Sequence, residues 1–320
     1  VENDPQLKQA VLQLKETQQL KPQARALLFP TVSASAGYYS QNVDLNTQAS
    51  QATIINGLPV SAGDSLDTSN DSTYGMFTAS VNQPLFDWGA WSAYKIAGSQ
   101  ISSAELTLVS EQQDLIIRVA KAYFDVLAAN DNVEFQESEK TATARQLEQS
   151  QKRHEFGQIA STDVYEAKAR YDQTLAALIN ATNDLRSKKE ALREITGKYY
   201  ASMKPLSETL ELNEPDPADV EHWVKHAFSD NPDIQALTKT VKAAEQNVSY
   251  KRSSYYPTVN LTGSYSKTDT EYDAYDQDTD TSQIGIAVTI PIYQGGLRGA
   301  QVDEAVYQYQ NAQEQLEEVR

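Results

Sequence analysis

Two histidines have the spacing of a metal site. His222 and His226 are four residues apart on a predicted helix, so both rings can lie on one face and reach one ion. Zinc enzymes with such a pair also carry a glutamate within the motif and a third ligand elsewhere. Neither accompanies this pair, and we therefore interpret the two histidines as surface residues.

Three aspartates at alternate positions imitate the start of a calcium-binding loop. Asp276, Asp278 and Asp280 stand where the first three ligands of such a loop stand. However, the sixth position is Thr281 rather than the glycine of the sharp turn, and the twelfth is Ala287 rather than glutamate. The sequence therefore favours an acidic, solvated loop over a calcium site.

A cluster of glycines could cradle a phosphate, but the rest of that motif is missing. Gly295, Gly296 and Gly299 lack the lysine of a phosphate-binding loop and fit a turn between two elements. The sequence also shows no nucleophile paired with a base, an arrangement that covalent catalysis requires. None of these patterns therefore supports a metal site, a phosphate site or a catalytic pair.

The composition restricts the class of partner. The 320-residue chain has a net charge of −17, which argues against nucleic acid, because phosphates need clustered lysine and arginine. It contains no cysteine, so nothing depends on disulfides or thiol chemistry. No apolar run approaches the roughly 18 residues of a membrane-spanning helix. Transmembrane β-strands remain compatible with the sequence, because they alternate apolar and polar residues.

The elements that would position any site are organised around two long helices between residues 95 and 197. No proline occurs between Lys95 and Glu155, and at ~1.5 Å per residue this stretch would reach roughly 90 Å. Gly157 can take the left-handed conformation that ends the first helix, and Gly197 stops the second. Three residues offer N-caps for the second helix: Ser161, Thr162 and Asp163.

The second of these helices carries a coiled-coil seam. Large side chains recur every seven residues, at Val164, Tyr171, Leu178, Leu185 and Leu192. The rest of the seam is predicted to be small or polar, at Ala167, Lys168, Ala181 and Thr182. Because such a seam buries little apolar surface, we expect the hairpin to need further partners.

Period-two alternation before this hairpin predicts strands at about 31–43 and 73–86. A first helix, Gln6–Leu28, precedes them. Residues 40–72 are rich in Ser, Asn, Asp, Gln and Thr, and we predict a long polar loop there.

The plan of the first half recurs in the second. Pro5 and Pro30 are matched by Pro232 and Pro257, each 227 residues later. The pattern predicts a first structural repeat at 1–200 and a second at 231–320. In the second repeat, strands are predicted at about 258–267 and 282–292. The connector between the repeats, at 201–230, is predicted to contain a short helix at Val220–Phe228. The second repeat stops inside its long helix, so we expect roughly a quarter of the natural chain to lie beyond Arg320.

Four amphipathic strands cannot form a barrel alone. In lipid an open sheet edge leaves backbone groups unpaired, so membrane strands must close into a barrel. The smallest common barrels have about eight strands. Identical copies must therefore share one barrel, with two copies giving about eight strands and three giving about twelve.

Several motifs together resemble the TolC family of outer-membrane efflux ducts. They are FGQIASTDV at 156–164, LREITGKYY at 192–200, YFDVL at 123–127, PLFD at 84–87 and PIYQGG at 291–296. The resemblance extends over the whole chain. It implies a mainly α protein with a transmembrane β part, an internal two-fold repeat and an equatorial domain that includes the 201–230 connector. The resemblance also implies a trimer, in which an outer-membrane β-barrel with four strands per chain and twelve in all would continue into a long α-helical barrel of coiled-coil hairpins.

The same resemblance implies a function. The protein would be the exit duct of tripartite drug efflux or type I protein secretion, in the outer membrane of a Gram-negative bacterium and extending into the periplasm. It would be a passive conduit that opens at its periplasmic end. The resemblance also implies that the protein is not an enzyme and has no catalytic residues, no metal site and no cofactor. Its partners would be outer-membrane lipid, a periplasmic adaptor (membrane fusion) protein and an inner-membrane RND, ABC or MFS transporter.

Five residues near the turn at Gly157 receive roles from the resemblance. Adaptor docking at the periplasmic tip is assigned to Lys152, Arg153 and Gly157, and gating of the entrance to Thr162 and Asp163. A helix cap is the alternative role for Asp163, because Asp163 and Glu166 resemble a capping box. His154 and Gln158 depart from the aromatic residue and the leucine that are common in close relatives.

Two other classes of protein are alternatives. A general outer-membrane diffusion porin would explain the strands, but porins have short turns on their periplasmic side rather than a long helical hairpin. A soluble coiled-coil scaffold would explain the helices and the acidity, but it leaves four alternating strands unexplained.

Overall fold

The chain is mainly helical, with one four-stranded antiparallel sheet. A computed structural model describes residues 4–48, 53–55, 58–61, 65–206, 216–272 and 275–320. The elements follow in the order α1 (Pro5–Gln18), α2 (Leu20–Ala26), β1 (Thr31–Gln48), β2 (Thr53–Ile55), β3 (Leu58–Val60), β4 (Ser65–Phe86), α3 (Trp88–Glu155), α4 (Ser161–Thr196), α5 (Val220–Asp230), α6 (Pro232–Arg252), β5 (Thr258–Tyr272), β6 (Asp276–Thr289) and α7 (Leu297–Val319). The predicted combination of long helices with four principal strands is confirmed.

These elements form two compact units. The first comprises the residues up to Gln18, Ser99–Val241 and Glu314–Arg320, and the second comprises Gln19–Gly98 and Lys242–Gln313. The helical hairpin turn lies in the first unit and the sheet in the second.

The sheet has the strand order β1-β4-β5-β6, and every neighbouring pair is antiparallel. One row across the four strands consists of Val32, Val81, Gly263 and Ile284, and the next row consists of Ser33, Ser80, Ser264 and Gln283. Successive residues of a strand point to opposite faces, so near the start of β1 one face is apolar and the other polar. Further along the strands, Lys267 and Asp280 lie on the same face as Val32 and Ile284. The predicted alternation is confirmed, and β1 and β6 are the two edge strands of this sheet.

The polar loop predicted at residues 40–72 is wrong for most of that stretch. β1 continues to Gln48 and β4 begins at Ser65, paired without interruption as far as Gln48 and Ser65. The short hairpin β2–β3 lies between them. Composition misled the prediction, because strand pairing uses backbone groups, which polar residues supply as well as apolar ones. A ladder established by the alternating residues can therefore extend through a polar sequence.

The alternate aspartates lie in strand β6 rather than in the predicted acidic loop. Asp276 and Asp278 pair with β5, and the Asp280 carboxylate accepts a hydrogen bond from the Tyr265 hydroxyl at 3.1 Å. An extended strand cannot wrap around one ion as a calcium loop does. Among the described residues, no group of three or more His, Cys, Asp or Glu side chains could hold a metal ion.

The two histidines lie on α5, and both are exposed, as the surface interpretation predicts. His226 Nδ1 lies 3.2 Å from Asp230 Oδ2, and the two imidazole centres are 4.5 Å apart. The Asp219 side chain caps this helix by accepting a hydrogen bond from the Glu221 N–H at 3.1 Å. The predicted short helix in the connector is confirmed.

The predicted first helix is divided in two at Gln19. α1 ends at Gln18 and α2 begins at Leu20. Pro22 explains the break, because it has no N–H to bond to the Gln18 carbonyl and its ring crowds that carbonyl. The sequence contained this signal, since a proline inside a helical pattern kinks or ends the helix.

The start of α1 is fixed by a buried ion pair within the first unit. Asp4 is 1 % exposed, and its carboxylate caps the helix by accepting the Leu7 N–H at 2.8 Å. Arg118 of α3 donates to both carboxylate oxygens, at 3.2 and 2.9 Å. These hydrogen bonds hold the pKa of Asp4 below its ordinary value. The pair therefore stabilises the fold fully above the ordinary aspartate pKa and loses that contribution as the pH falls through the lowered one.

The long helical hairpin is confirmed, and its first helix is longer than predicted. α3 has 68 residues and begins at Trp88 rather than near Lys95, because the Asp87 carboxylate accepts the Ala90 N–H at 3.0 Å and caps it. α4 has 36 residues, and it is followed by the C-cap residue Gly197, whose φ of 70° is left-handed. None of the described helices is long and apolar enough to cross a membrane.

The seven-residue seam of α4 is confirmed. Leu192 is buried, and the four other large residues of the repeat are half-buried. Ala167, Thr174, Ala181, Lys188 and Ile195 form a second stripe that is buried or half-buried. Lys168 is exposed, so its predicted place on the seam is wrong. Each residue of the second stripe comes three residues after a large side chain of the repeat. Residues three or four positions apart are neighbours on a helix surface, so the two stripes share one face.

Candidate functional site

The turn between α3 and α4 is a Schellman motif built on Gly157. The Gln158 N–H bonds to the Arg153 carbonyl at 2.9 Å, and the Gly157 N–H bonds to the His154 carbonyl at 2.8 Å. These two bonds satisfy the last carbonyls of α3, and they require a left-handed residue at position 157. Gly157 has a φ of 69°, and a Cβ added there would meet no atom within 4 Å. The tip is therefore tightly turned and has open space around it.

Two further side chains define the tip. His154 Nδ1 lies 3.0 Å from the Ile159 carbonyl oxygen. Since a carbonyl oxygen can only accept, Nδ1 carries the proton and donates across the turn. Phe156 is 79 % exposed at the apex, and we did not single it out from the sequence. Its signal was available, since a large apolar residue in a turn of glycine and polar residues has no core to enter.

The two basic residues before the turn have different surroundings. Lys152 is exposed and makes an ion pair with Glu148 one helical turn earlier, at 2.6 Å. This hydrogen bond raises the pKa of Lys152 and lowers the pKa of Glu148. Arg153 is exposed too, and it lines a groove between the two helices.

The predicted caps of α4 are wrong. The N-cap is Ala160, which has an extended backbone, and no side chain caps it. Thr162 and Asp163 instead occupy the first turn, where the negative charge of Asp163 favours the positive end of the helix dipole. The capping box with Glu166 is therefore absent. Within the described part of the chain, the Asp163 carboxylate makes no hydrogen bond and no ion pair.

One groove brings two of the predicted site residues together. It has a volume of about 560 Å³ and runs along the hairpin next to the turn. Charged residues that line it are Arg153, Asp163, Glu166 and Arg170, together with Glu139. Lys152, Gly157 and Thr162 are not among its lining residues. The groove therefore combines one predicted docking residue, Arg153, with one predicted gating residue, Asp163.

A buried hydrogen bond from Thr143, one of the lining residues, joins the two helices beside this groove. The Thr143 and Thr174 hydroxyl oxygens are 2.9 Å apart and belong to α3 and α4. Thr174 also bonds back to the Tyr171 carbonyl. We did not predict this contact, because a threonine pairs across helices only when both rotamers are set by the packed structure. The groove therefore offers charged and polar side chains as contacts for binding.

Comparison with known proteins gives a consistent result. The chain matches the outer membrane efflux protein family over residues 1–198 and 223–320. It is 31 % identical to the outer membrane protein TolC of Vibrio cholerae over 320 residues, covering 99 % of this chain and 68 % of that protein. It is 27 % identical to the alkaline protease secretion protein AprF of Pseudomonas aeruginosa, covering 99 % of this chain and 64 % of that protein. The chain thus spans about two thirds of the length of these curated relatives.

The fold has a counterpart among solved structures. The CmeC outer membrane channel of Campylobacter jejuni superimposes with a TM-score of 0.72 at 15 % identity, covering 99 % of this chain and 65 % of that one.

Proposed function

The chain belongs to the outer membrane efflux protein family, and we propose that three copies of it form the exit duct of a tripartite export machine. It is an outer-membrane protein of a Gram-negative bacterium. The duct is a passive conduit without catalytic activity or cofactor. Its partners are a periplasmic adaptor and an inner-membrane transporter of the RND, ABC or MFS class, and its cargo is a drug or a secreted protein.

The observation that carries this proposal is the four-stranded sheet with two unpaired edges and one apolar face. β1 and β6 each have a neighbour on one side only within the described sheet. The apolar residues of β6 are largely exposed, Ile284 at 79 % and Ile286 at 66 %. Pairing β6 of one copy with β1 of the next removes every edge when three copies close a ring of about twelve strands. The apolar face then meets lipid.

The long hairpin supports the same assembly. α3 exposes large apolar side chains, among them Ile116, Ile117 and Phe124. Exposed apolar positions of this kind on a coiled-coil pair favour neighbouring helices of other copies. A general porin would not need this hairpin, and a soluble scaffold would not need the amphipathic sheet. We retain the two repeats at 1–200 and 231–320, with the 201–230 connector in an equatorial domain, as part of the proposal.

Size measurement of the full-length protein tests this function. We expect a trimer in detergent by light scattering with the detergent mass subtracted, resistant to mild denaturant. We also expect crosslinks from the tip of the hairpin to the cognate adaptor. A monodisperse monomer would contradict the duct, and a trimer that never crosslinks to an adaptor would favour the porin.

Within this duct we propose distinct roles for the residues at the hairpin turn. Adaptor docking is assigned to Lys152, Arg153 and Gly157, and gating to Thr162 and Asp163. The exposed bases meet the polar tip of an adaptor. The Asp163 carboxylate is available for a cationic partner on a neighbouring helix of the assembly, because it is unengaged within the described part of the chain.

Replacement of Asp163 by asparagine separates a gate from a purely local role. Asp163→Asn removes the charge at nearly constant volume and weakens a charge-assisted contact to a neighbour. Its effect on the helix dipole is only about 0.3–1 kcal/mol. We expect a higher single-channel conductance of the full-length trimer in planar bilayers, with thermal stability almost unchanged.

The matched control for this experiment is Asp172→Asn, an exposed aspartate further along the same helix. It should leave the conductance at the wild-type level. If Asp163→Asn and Thr162→Val both conduct like the wild type, the gate does not lie at these residues.

A further inference from the structure

Arg298 is a buried cation without an anionic partner. It lies in the first turn of α7 and is only 8 % exposed. Its Nη1 donates to the Pro291 carbonyl at 3.1 Å, and its guanidinium lies 5.9 Å from the centre of the Tyr255 ring. Among the described residues no carboxylate pairs with it, and it makes no second hydrogen bond. A guanidinium has five donors, and the donors of Arg298 that do not bond to Pro291 keep access to solvent, so they can bind an anion that enters the cleft.

A cleft within the second unit lies next to this guanidinium. Its volume is about 720 Å³, and polar residues that line it include Arg298, Lys251, Ser253, Ser254, Gln301 and Asp87. Asp87 is the acidic residue of the lining, and one of its oxygens is committed to the N–H that caps α3. Lys251 is half-buried, and its ammonium lies 6.0 Å from the centre of the Tyr250 ring. The side chains of the lining therefore carry a net positive charge.

The charges that line this cleft favour an anion. Burying a charge is unfavourable unless an opposite charge and hydrogen bonds compensate it. The N-termini of α3 and α7 border the same cleft, through Ala90 and Arg298. Helix N-termini carry partial positive charge and favour anions, although Asp87 already uses part of this potential at α3. An oxyanion in the cleft would satisfy Arg298 and Lys251 together.

The surroundings select the kind of anion. The cleft is bordered by Thr258 at the start of β5 and by Thr289 at the end of β6, so it lies where the sheet meets the helices. Aromatic residues lie at the cleft: Tyr250 and Tyr256 line it, and the Trp88 ring contacts Tyr256. Tyrosine and tryptophan favour the level of lipid headgroups, where one end of the ring is apolar and the other is hydrated. Arginine matches phosphate geometry through two parallel hydrogen bonds.

We propose that this cleft binds the phosphate of a phospholipid headgroup in the periplasmic leaflet of the outer membrane. Arg298 provides the fork of donors, and Lys251 provides the second positive charge. The choice of a lipid rests on the proposed membrane-spanning role of the sheet. The phosphate chemistry rests on the cleft alone. Such a lipid would fix the junction between strands and helices in each copy.

The test titrates the delipidated full-length protein in detergent with short-chain phosphatidylglycerol, with native mass spectrometry and thermal shift as readouts. We expect saturable binding with a rise in the melting temperature. Arg298→Gln should weaken binding at least tenfold, and Lys251→Gln should weaken it several-fold. Arg252→Gln is the matched control, because Arg252 is exposed and is not among the residues that line the cleft. It should bind like the wild type.

Separate arms keep the outcomes distinct. Lys251→Gln leaves the hydrogen bond between Arg298 and Pro291 intact. If the Arg298→Gln variant fails to assemble, lipid binding by the Lys251→Gln variant therefore tests the site. Inorganic phosphate alone, at matched concentration, should give no comparable stabilisation, and an equal effect would overturn the lipid in favour of a free anion. Equal binding of the lipid by the wild type and Lys251→Gln and Arg298→Gln variants would overturn the site. The trimer measured by light scattering reports on the duct independently of either result.

Discussion

Replacing Gly157 by tryptophan is expected to abolish the drug resistance that the duct confers with its cognate adaptor and pump, while the trimer still assembles. The space around the Gly157 Cα is open, so the indole projects outward and meets no atom of its own chain near its Cβ. The left-handed φ of 69° costs a residue with a side chain about 1–2 kcal/mol. That strain is local to the turn, and the added bulk lies where an adaptor would dock. Resistance is measured as the inhibitory drug concentration in a strain without another duct.

Gly157→Ala is the control that separates strain from bulk. Alanine has the same unfavourable φ but adds one methyl group, so resistance should fall little or not at all. Expression and trimer content are compared in isolated outer membranes. If the tryptophan variant keeps full resistance at a normal level of trimer, the turn is not part of the docking surface. If alanine is as harmful as tryptophan, the turn geometry itself is needed rather than the free space around it.

An arginine at Ile286 is expected to remove most of the trimer from the outer membrane. Ile286 lies on the apolar face of edge strand β6 and pairs with Leu261 of β5. A lipid-facing arginine costs about 2–4 kcal/mol at the bilayer midplane and less towards an interface, and a trimer would bear the cost three times. The measurement is the amount of folded trimer in purified outer membranes, read by its resistance to mild denaturant on gels.

Ala287→Arg provides a control at the same depth. Ala287 follows Ile286 in the same strand, so its side chain points to the opposite, polar face. An arginine there would face the water-filled lumen, and trimer levels should stay close to wild type. Equal loss from both substitutions would show that β6 tolerates no charge on either face, and equal survival would mean that the apolar face does not contact lipid.

The main elements were predictable because their signals are local and strong. Gly157 and Gly197 both adopt the left-handed conformation that ended the predicted helices. The seven-residue repeat of α4 marks the face that is buried, because residues at this spacing lie on one side of a helix. The alternation in the strands also fixed the two faces of the sheet, because a shift of one residue would exchange them. Such features depend on neighbours in sequence and can be recognised there.

The features that sequence reasoning missed depend on distant partners. The pairing of polar residues between Gln48 and Ser65 follows from a ladder that begins elsewhere. The N-cap of α4 was predicted at Ser161, Thr162 or Asp163, because all three residue types favour caps, but the structure has it at Ala160. The backbone conformation of the turn decides the position of the cap. The bond from Arg118 to Asp4 joins residues far apart in sequence. The burial of Arg298 cannot be seen without the cleft beside it.

The pairing of β4 with β5 has a consequence for the order of biosynthesis. The pairs β1–β4 and β5–β6 each join strands that are close in sequence. The pairing of β4 with β5 is different, because α3, α4, α5 and α6 lie between Gln83 and its partner Leu261 in the sequence. Contacts of such long separation form slowly, because a large loop must close before they gain anything. Newly made protein therefore carries an unpaired first hairpin until the second is translated. During that interval it exposes a strand edge that invites wrong pairing. Secreted chains of this protein should thus depend on periplasmic chaperones that bind extended strands.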